Sequence, residues 1–108
     1  MTQLDIRERE EEERAILSLE GPVNSYTYTE FQERLTKAIG LSPLVVVDLE
    51  KVTNLSSAGI GVLMAALDDA ETDGKRLVLL RPSEIARLAL ESTGFAERFP
   101  VVDNLREL

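Results

Sequence analysis

The six residues LVVVDL, Leu44 to Leu49, constrain this chain more than any other stretch. A strand with one face in water alternates apolar and polar side chains, but this run has no polar position before Asp48. Both of its faces must therefore be covered, which makes it the candidate for the centre of a sheet. Valine, branched at Cβ, also fits a pleated surface better than a helix. The rest of the chain has to supply strands beside this segment and helices over it.

The remaining pattern provides them. Residues 7 to 14 are charged throughout and run into an apolar stretch in which Ile16 alternates with Ser18. This predicts a terminal edge strand or hairpin whose charges face water and discourage edge-to-edge pairing. Gly21-Pro22 reads as a break, after which Val23, Asn24 and Ser25 lead into a helix. Thr27 with Glu30, or Thr29 with Gln32, has the spacing of a capping box, and Tyr28, Phe31, Leu35 and Ile39 form one apolar stripe that Gly40 should stop. After the central strand, Glu50 to Asn54 read as a turn. A second helix is predicted from about Ser57, with Ile60, Leu63, Met64, Leu67 and Ala70 on its core face and Asp73-Gly74 as its end. Arg76 to Leu80 form the next strand. Pro82-Ser83 opens a third helix, with Ile85, Leu88 and Ala89 inward and Gly94 as the stop. Phe99 to Val102 make a last short strand, and residues 103 to 108 can add one helical turn. Strands joined through helices imply parallel neighbours and right-handed crossovers, with the first segment antiparallel at an edge.

Length and composition narrow the function. With 108 residues, residues 1–108 are long enough for one hydrophobic core and too short for two, so a single domain is expected. The longest aliphatic run, Leu44 to Val47, is far below the roughly 20 residues needed to span a bilayer. The first residues lack the apolar stretch of a signal peptide, so a cytoplasmic protein with no membrane insertion is expected. There is no cysteine and no histidine. Disulfides and thiolate metal sites are thereby excluded, and the commonest general base and commonest metal ligand are both missing. No catalytic residue, cofactor or metal is expected. Asp48, Glu50 and Asp68-Asp69 have no base or ligand to act with and read as solvated or capping acids. A net charge of −8 repels nucleic acid and anionic membranes, and favours a protein partner with a basic face.

The segment NLSSAGIGVLMAAL, residues 54 to 67, puts two serines and two glycines at a helix start. One reading is structural, with Ser56 or Ser57 as an N-cap whose hydroxyl accepts from a first-turn amide and contributes about 1 kcal/mol. A dinucleotide loop fits poorly, because Met64 occupies the third glycine position and Arg81 stands where an acid should end the next strand. The remaining reading is a modifiable surface serine. Ala58 and Gly59 would leave the helix start open to a bulky partner, Gly61 would keep the next turn low, and a phosphate would lie against free amides at the positive helix end.

The order GPVN, VVVDL, SSAGIGVL, the Asp73-Gly74 turn, RLVLLRPS and LALESTGFAERFPV resembles that of STAS domains, the family of bacterial anti-sigma factor antagonists. The resemblance implies an α/β fold of the STAS type: a mixed sheet of four to five strands, parallel in its core and antiparallel at one edge, with helices mainly on one face. It also implies a binding module that is not an enzyme. Such a protein captures an anti-sigma factor, usually an ATP-dependent serine kinase, and is switched off by phosphorylation of a serine at the start of the central helix. That phosphoacceptor matches Ser57. Ser56 stands where the family motif has an aspartate and becomes a rival acceptor, followed by Ala58 and Gly59, while Asn24 stands where an aspartate is often found. The partner surface implied comprises Val23, Asn24, Thr53, Asn54, Ser56, Ser57, Ala58, Gly59, Ile60 and Gly61. The alternative is a STAS subunit of a lipid-transport ATPase assembly or stress-sensing complex, with no phosphorylation cycle.

Overall fold

A computed structural model describes residues 3–108. Its strands are β1 (Asp5–Glu11), β2 (Arg14–Val23), β3 (Leu44–Leu55), β4 (Arg76–Leu80) and β5 (Val101–Val102). Helix α1 (Tyr28–Leu41) joins β2 to β3, α2 (Ser57–Thr72) joins β3 to β4, and α3 (Glu84–Ser92) follows β4. Short 3-10 turns occupy Ala96–Arg98 and Leu105–Glu107. The five strands lie in sequence order, antiparallel between β1 and β2 and parallel from β2 onward. LVVVDL is central, as its composition demands: Val45, Val46 and Val47 are all buried.

The order dictates where the helices go. Each crossover steps one strand in the same direction, so right-handed connections put every helix on one face. That face carries the main core, where Leu17, Val47, Leu49 and Leu79 of the sheet meet Phe31 and Leu35 of α1, Leu63 and Leu67 of α2, and Leu90 of α3. The opposite face carries a smaller cluster of Ile16, Val46 and Leu80, against which Leu44, Val102, Leu105 and Leu108 pack. The charged N-terminal run forms the expected hairpin, turning through Glu12 and Glu13 at φ 51° and 64°. Among the described residues, no helix is long and apolar enough to cross a membrane.

Four local expectations are corrected. Gly21-Pro22 does not end β2. It lies in it at a register shift, where Gly21 adopts φ +114° and an added Cβ would meet the Gln3 carbonyl oxygen at 2.6 Å. Glu50 to Asn54 are not a turn but the continuation of β3. Two register shifts against β2 break the alternation there, so Val52 and Leu55, three apart, both point inward and the sequence looks irregular. Helix α1 runs through Gly40 to Leu41, and neither expected capping box forms at its start. Asn24 does that work instead: its Oδ1 accepts from the amides of Tyr26 (2.8 Å) and Thr27 (3.2 Å), while the Thr27 hydroxyl donates to the Pro22 carbonyl (2.9 Å).

The fourth correction concerns α3. Ile85 and Leu88 face outward, each 51% exposed, and Ala86 and Leu90 are the buried pair. The rotation is set by Ser83. β3 outruns β4 beyond Asp48, leaving carbonyls on that edge without a strand partner. The Ser83 amide donates to Leu49 O (3.1 Å), its hydroxyl donates to Val52 O (2.8 Å), and the same Oγ accepts from Ala86 N (3.1 Å) as an N-cap. One residue thus fastens the edge and starts the helix. Ser83→Ala is expected to lower unfolding free energy by about 1–2 kcal/mol, since cap and edge bond are lost together. An unchanged urea midpoint would show that the helix is held by packing alone.

Candidate functional site

Parallel pairing brings the carboxyl ends of β2 and β3 together, with Pro22 opposite Asn54 and Val23 opposite Leu55. The connections into α1 and α2 therefore emerge side by side, at the end of the sheet where parallel α/β proteins place their sites. The join is closed by one backbone bond, Ser56 N–H to Val23 O at 2.9 Å. Helix α2 then begins at Ser57, with Ser56 as the N-cap residue and Ile60 N donating to Ser56 O at 2.9 Å.

The two serines part company here. Ser57 is exposed on the first turn, whereas Ser56 is half-buried and its Oγ is buried without a hydrogen-bond partner. Neither hydroxyl caps the helix, which lacks any side-chain cap bond. The expected capping contribution is therefore absent, and the helix start is fixed by the Val23 backbone. The first-turn amides of α2 have no intrahelical acceptor, no acid lies in that turn, and no Lys or Arg occurs between residues 52 and 74. An anion on Ser57 would lie beside the free backbone N–H groups of the positive helix end, with no cation in the flanking sequence.

The glycines divide in the same way. Gly59 is buried, and a Cβ there would meet Val23 Cγ1 at 2.6 Å and Leu55 Cδ1 at 2.8 Å. It lets α2 settle on the ends of β2 and β3; it does not open the surface to a partner. Gly61 is exposed, with nothing within 4 Å of an added Cβ. Val23 and Ile60 are core residues, at 0% and 8% exposure, so they and Gly59 drop out of the predicted surface. Thr53, Asn54, Ser57 and Gly61 are exposed, Ala58 and Asn24 partly so, and Asn24 is engaged in the turn beneath.

Two residues escaped the sequence reading. Ala65 is exposed and continues Ser57 and Gly61 at i, i+4, i+8, a spacing that was legible as a low stripe along α2. Tyr26 is 90% exposed on the Asn24 turn. It precedes the helix and falls off the apolar stripe, so no periodicity marks it. Three of the four acids considered for chemistry are held in ion pairs, Asp48 and Glu50 with Arg81 and Asp68 with Arg98, and Asp69 is exposed. The Arg98 pKa is raised, chiefly by its hydrogen bond to Asp68.

The family model for the STAS domain matches residues 3–108. Among solved structures, an anti-sigma factor antagonist from Mycobacterium paratuberculosis superposes with a TM-score of 0.86 at 18% identity, over 97% of this chain and 90% of that one. The phosphorylated form of the Bacillus cell fate determinant SpoIIAA gives 0.74 at 18% identity, over 95% of each chain. A serine-to-glutamate variant of RsbS from Moorella thermoacetica gives 0.77 at 18% identity, over 94% and 88%. At these identities the likeness is one of fold.

The paired serines and glycines give opposite expectations. Gly59→Ala should cost about 1–3 kcal/mol by overpacking against Val23 and Leu55, whereas Gly61→Ala should stabilise by up to about 1 kcal/mol through helix propensity; chemical denaturation of both reads the sign directly. Ser56→Ala, which removes a buried hydroxyl that bonds nothing, should change stability by less than about 0.5 kcal/mol. A loss of a full kcal/mol would mean that the hydroxyl does cap α2 in solution.

Proposed function

The chain belongs to the STAS domain family, and from that premise we propose that it is an anti-sigma factor antagonist whose Ser57 is the phosphoacceptor. Unmodified, it captures an anti-sigma factor of the serine-kinase type in the cytoplasm and so frees a sigma factor; phosphorylated, it releases that partner. It acts by binding, not by catalysis. The observation that carries the reading is the exposed Ser57 at an uncrowded helix start, beside a half-buried Ser56 whose Oγ is buried. Solved relatives in fold named as an anti-sigma factor antagonist and as a phosphorylated SpoIIAA support it.

The docking surface on this reading is the stripe Ser57, Gly61 and Ala65, bordered by Ala58, Thr53, Asn54 and the Asn24 turn with Tyr26. Small side chains allow another chain to approach the α2 backbone closely. A dianion on Ser57 costs this fold little, because it meets amides and water. In a complex the same group is desolvated against a partner that did not evolve to neutralise it. That penalty is about 2–5 kcal/mol, or some tens to thousands of fold in affinity. The switch therefore acts on docking and leaves the architecture intact.

The test begins with the partner recovered from the host on the immobilised protein and identified by mass spectrometry. A kinase-like anti-sigma factor is expected; a transporter ATPase would instead support the subunit role. Titration calorimetry should then show Ser57→Ala binding within about threefold of wild type and Ser57→Glu weakened at least about 30-fold, the lower end of the penalty above. Equal affinity of Ser57→Glu and wild type would remove the switch. Intact-mass mapping of protein from its own host should find one phosphate on Ser57 and none on Ser56.

A further inference from the structure

Aromatic side chains are few in this chain, and one of them stands apart. Phe31 and Phe99 are buried, at 0% and 5% exposure, whereas Tyr26 is 90% exposed. Its backbone is nonetheless fixed. Asn24 N donates to Thr27 Oγ1 at 2.9 Å, and Thr27 N donates in return to Asn24 Oδ1 at 3.2 Å. The Tyr26 amide donates to the same Oδ1 at 2.8 Å, and Tyr28 N to Asn24 O at 2.9 Å. A rigid turn therefore presents a large ring to water, and little order remains to be lost when that ring is covered. Tyrosines are among the residues that carry most of the energy in protein interfaces.

The turn forms one wall of a cleft of about 500 Å³. Leu4 and Pro22 line it with apolar surface, Tyr26 with its ring and Glu30 with a carboxylate. The Glu30 side chain is 62% exposed, and its one ion pair among the described residues, to Arg34 a helical turn on, is long at 4.0 Å. Arg34 lies nearer Glu8, at 3.5 Å. An exposed pair at such a distance contributes little, so Glu30 exchanges it readily. No Lys or Arg occurs between residues 15 and 33 or between residues 52 and 74, the segments that carry the Asn24 turn and the start of α2. Among the described residues, the lining of the cleft holds a negative charge and no positive one.

Three properties meet there: an apolar wall, an aromatic face and a carboxylate that the cleft does not neutralise. A neutral side chain would leave Glu30 desolvated, and an acid would be repelled. Arginine satisfies all three, since its methylene stem lies along apolar surface, its planar guanidinium stacks on a ring, and its N–H groups fork onto a carboxylate. Lysine, a compact and strongly hydrated charge, gives up the stacking and the fork. We propose that the cleft takes an arginine side chain of the partner protein, stacked on Tyr26 and paired with Glu30, and that these two residues set which partner docks beside Ser57. The inference rests on the reading of this surface as the docking site of an anti-sigma factor, and it names the chemistry that the surface recognises.

One arm of the test needs no partner. Magnetic resonance titration of the full, isotope-labelled chain with N-acetyl-arginine amide should shift the amide signals of residues 24–30 saturably. The apparent affinity should be at least about threefold above that for N-acetyl-lysine amide, and should fall at least about threefold in Tyr26→Ala and in Glu30→Gln. Shifts that ignore both substitutions, or that spread evenly over the acidic surface, would overturn the proposal. The second arm uses the partner recovered from the host. Tyr26→Ala and Glu30→Gln should each weaken binding at least about tenfold by titration calorimetry, with urea midpoints close to wild type, and Tyr26→Phe, which keeps the ring, should bind within about threefold of wild type. Replacing one partner arginine by alanine should abolish the further loss from Glu30→Gln, and coupling to a lysine or an apolar residue instead would overturn the proposal. The two readings fail separately. Ser57→Glu binding at wild-type strength while Tyr26→Ala and Glu30→Gln weaken it removes the switch and keeps the cleft; the reverse pattern removes the cleft and keeps the switch.

Discussion

The parallel pairing of β2 with β3 carries the rest of this structure. β3 is buried on both faces through Val45, Val46 and Val47, so it can lie only between other strands. It also outruns β4, and two register shifts let it follow β2 as far as Val23 opposite Leu55. The free β3 edge is where Ser83 seats α3, and the β2 end is where Val23 receives the Ser56 amide and sets the start of α2. Had β3 stopped at Leu49, α2 would lose its origin beside Val23 and α3 would lose the bond from Ser83 to Val52 O.

From that join follows the division of labour at the helix start. The backbone bond orients the first turn so that alternating residues serve opposite purposes: Ser56 and Gly59 turn inward, Ser57 and Gly61 outward. Gly59 is needed because the ends of two buried strands leave no space for a methyl group, while the surface around Gly61 is empty. The inner half of the helix start is therefore tightly packed and the outer half bare, and no Lys or Arg lies between residues 52 and 74.

Much of this was legible in the chain. The valine run, the charged hairpin, the spacing of Leu63 and Leu67, and the Asp73-Gly74 stop report their environments directly, because each depends on burial or backbone geometry within a few residues. The misreadings share one cause. Glu50 to Asn54 look irregular because their alternation is broken by a partner strand thirty residues away. Ile85 and Leu88 look inward-facing because they are large and apolar, yet Ser83 rotates α3 so that the small Ala86 meets the sheet.

The sequence alone determined the alternation of strands and helices, the burial of the central strand, and the presence of two hydroxyls and two glycines where α2 begins. Those properties are local, written in hydropathy and side-chain branching. Only the tertiary structure decided which hydroxyl faces water, which glycine is filled against, and which leucines cover the helix-free face. Each of those outcomes depends on distances between segments far apart in the chain, and periodicity along one segment holds no record of what packs against it.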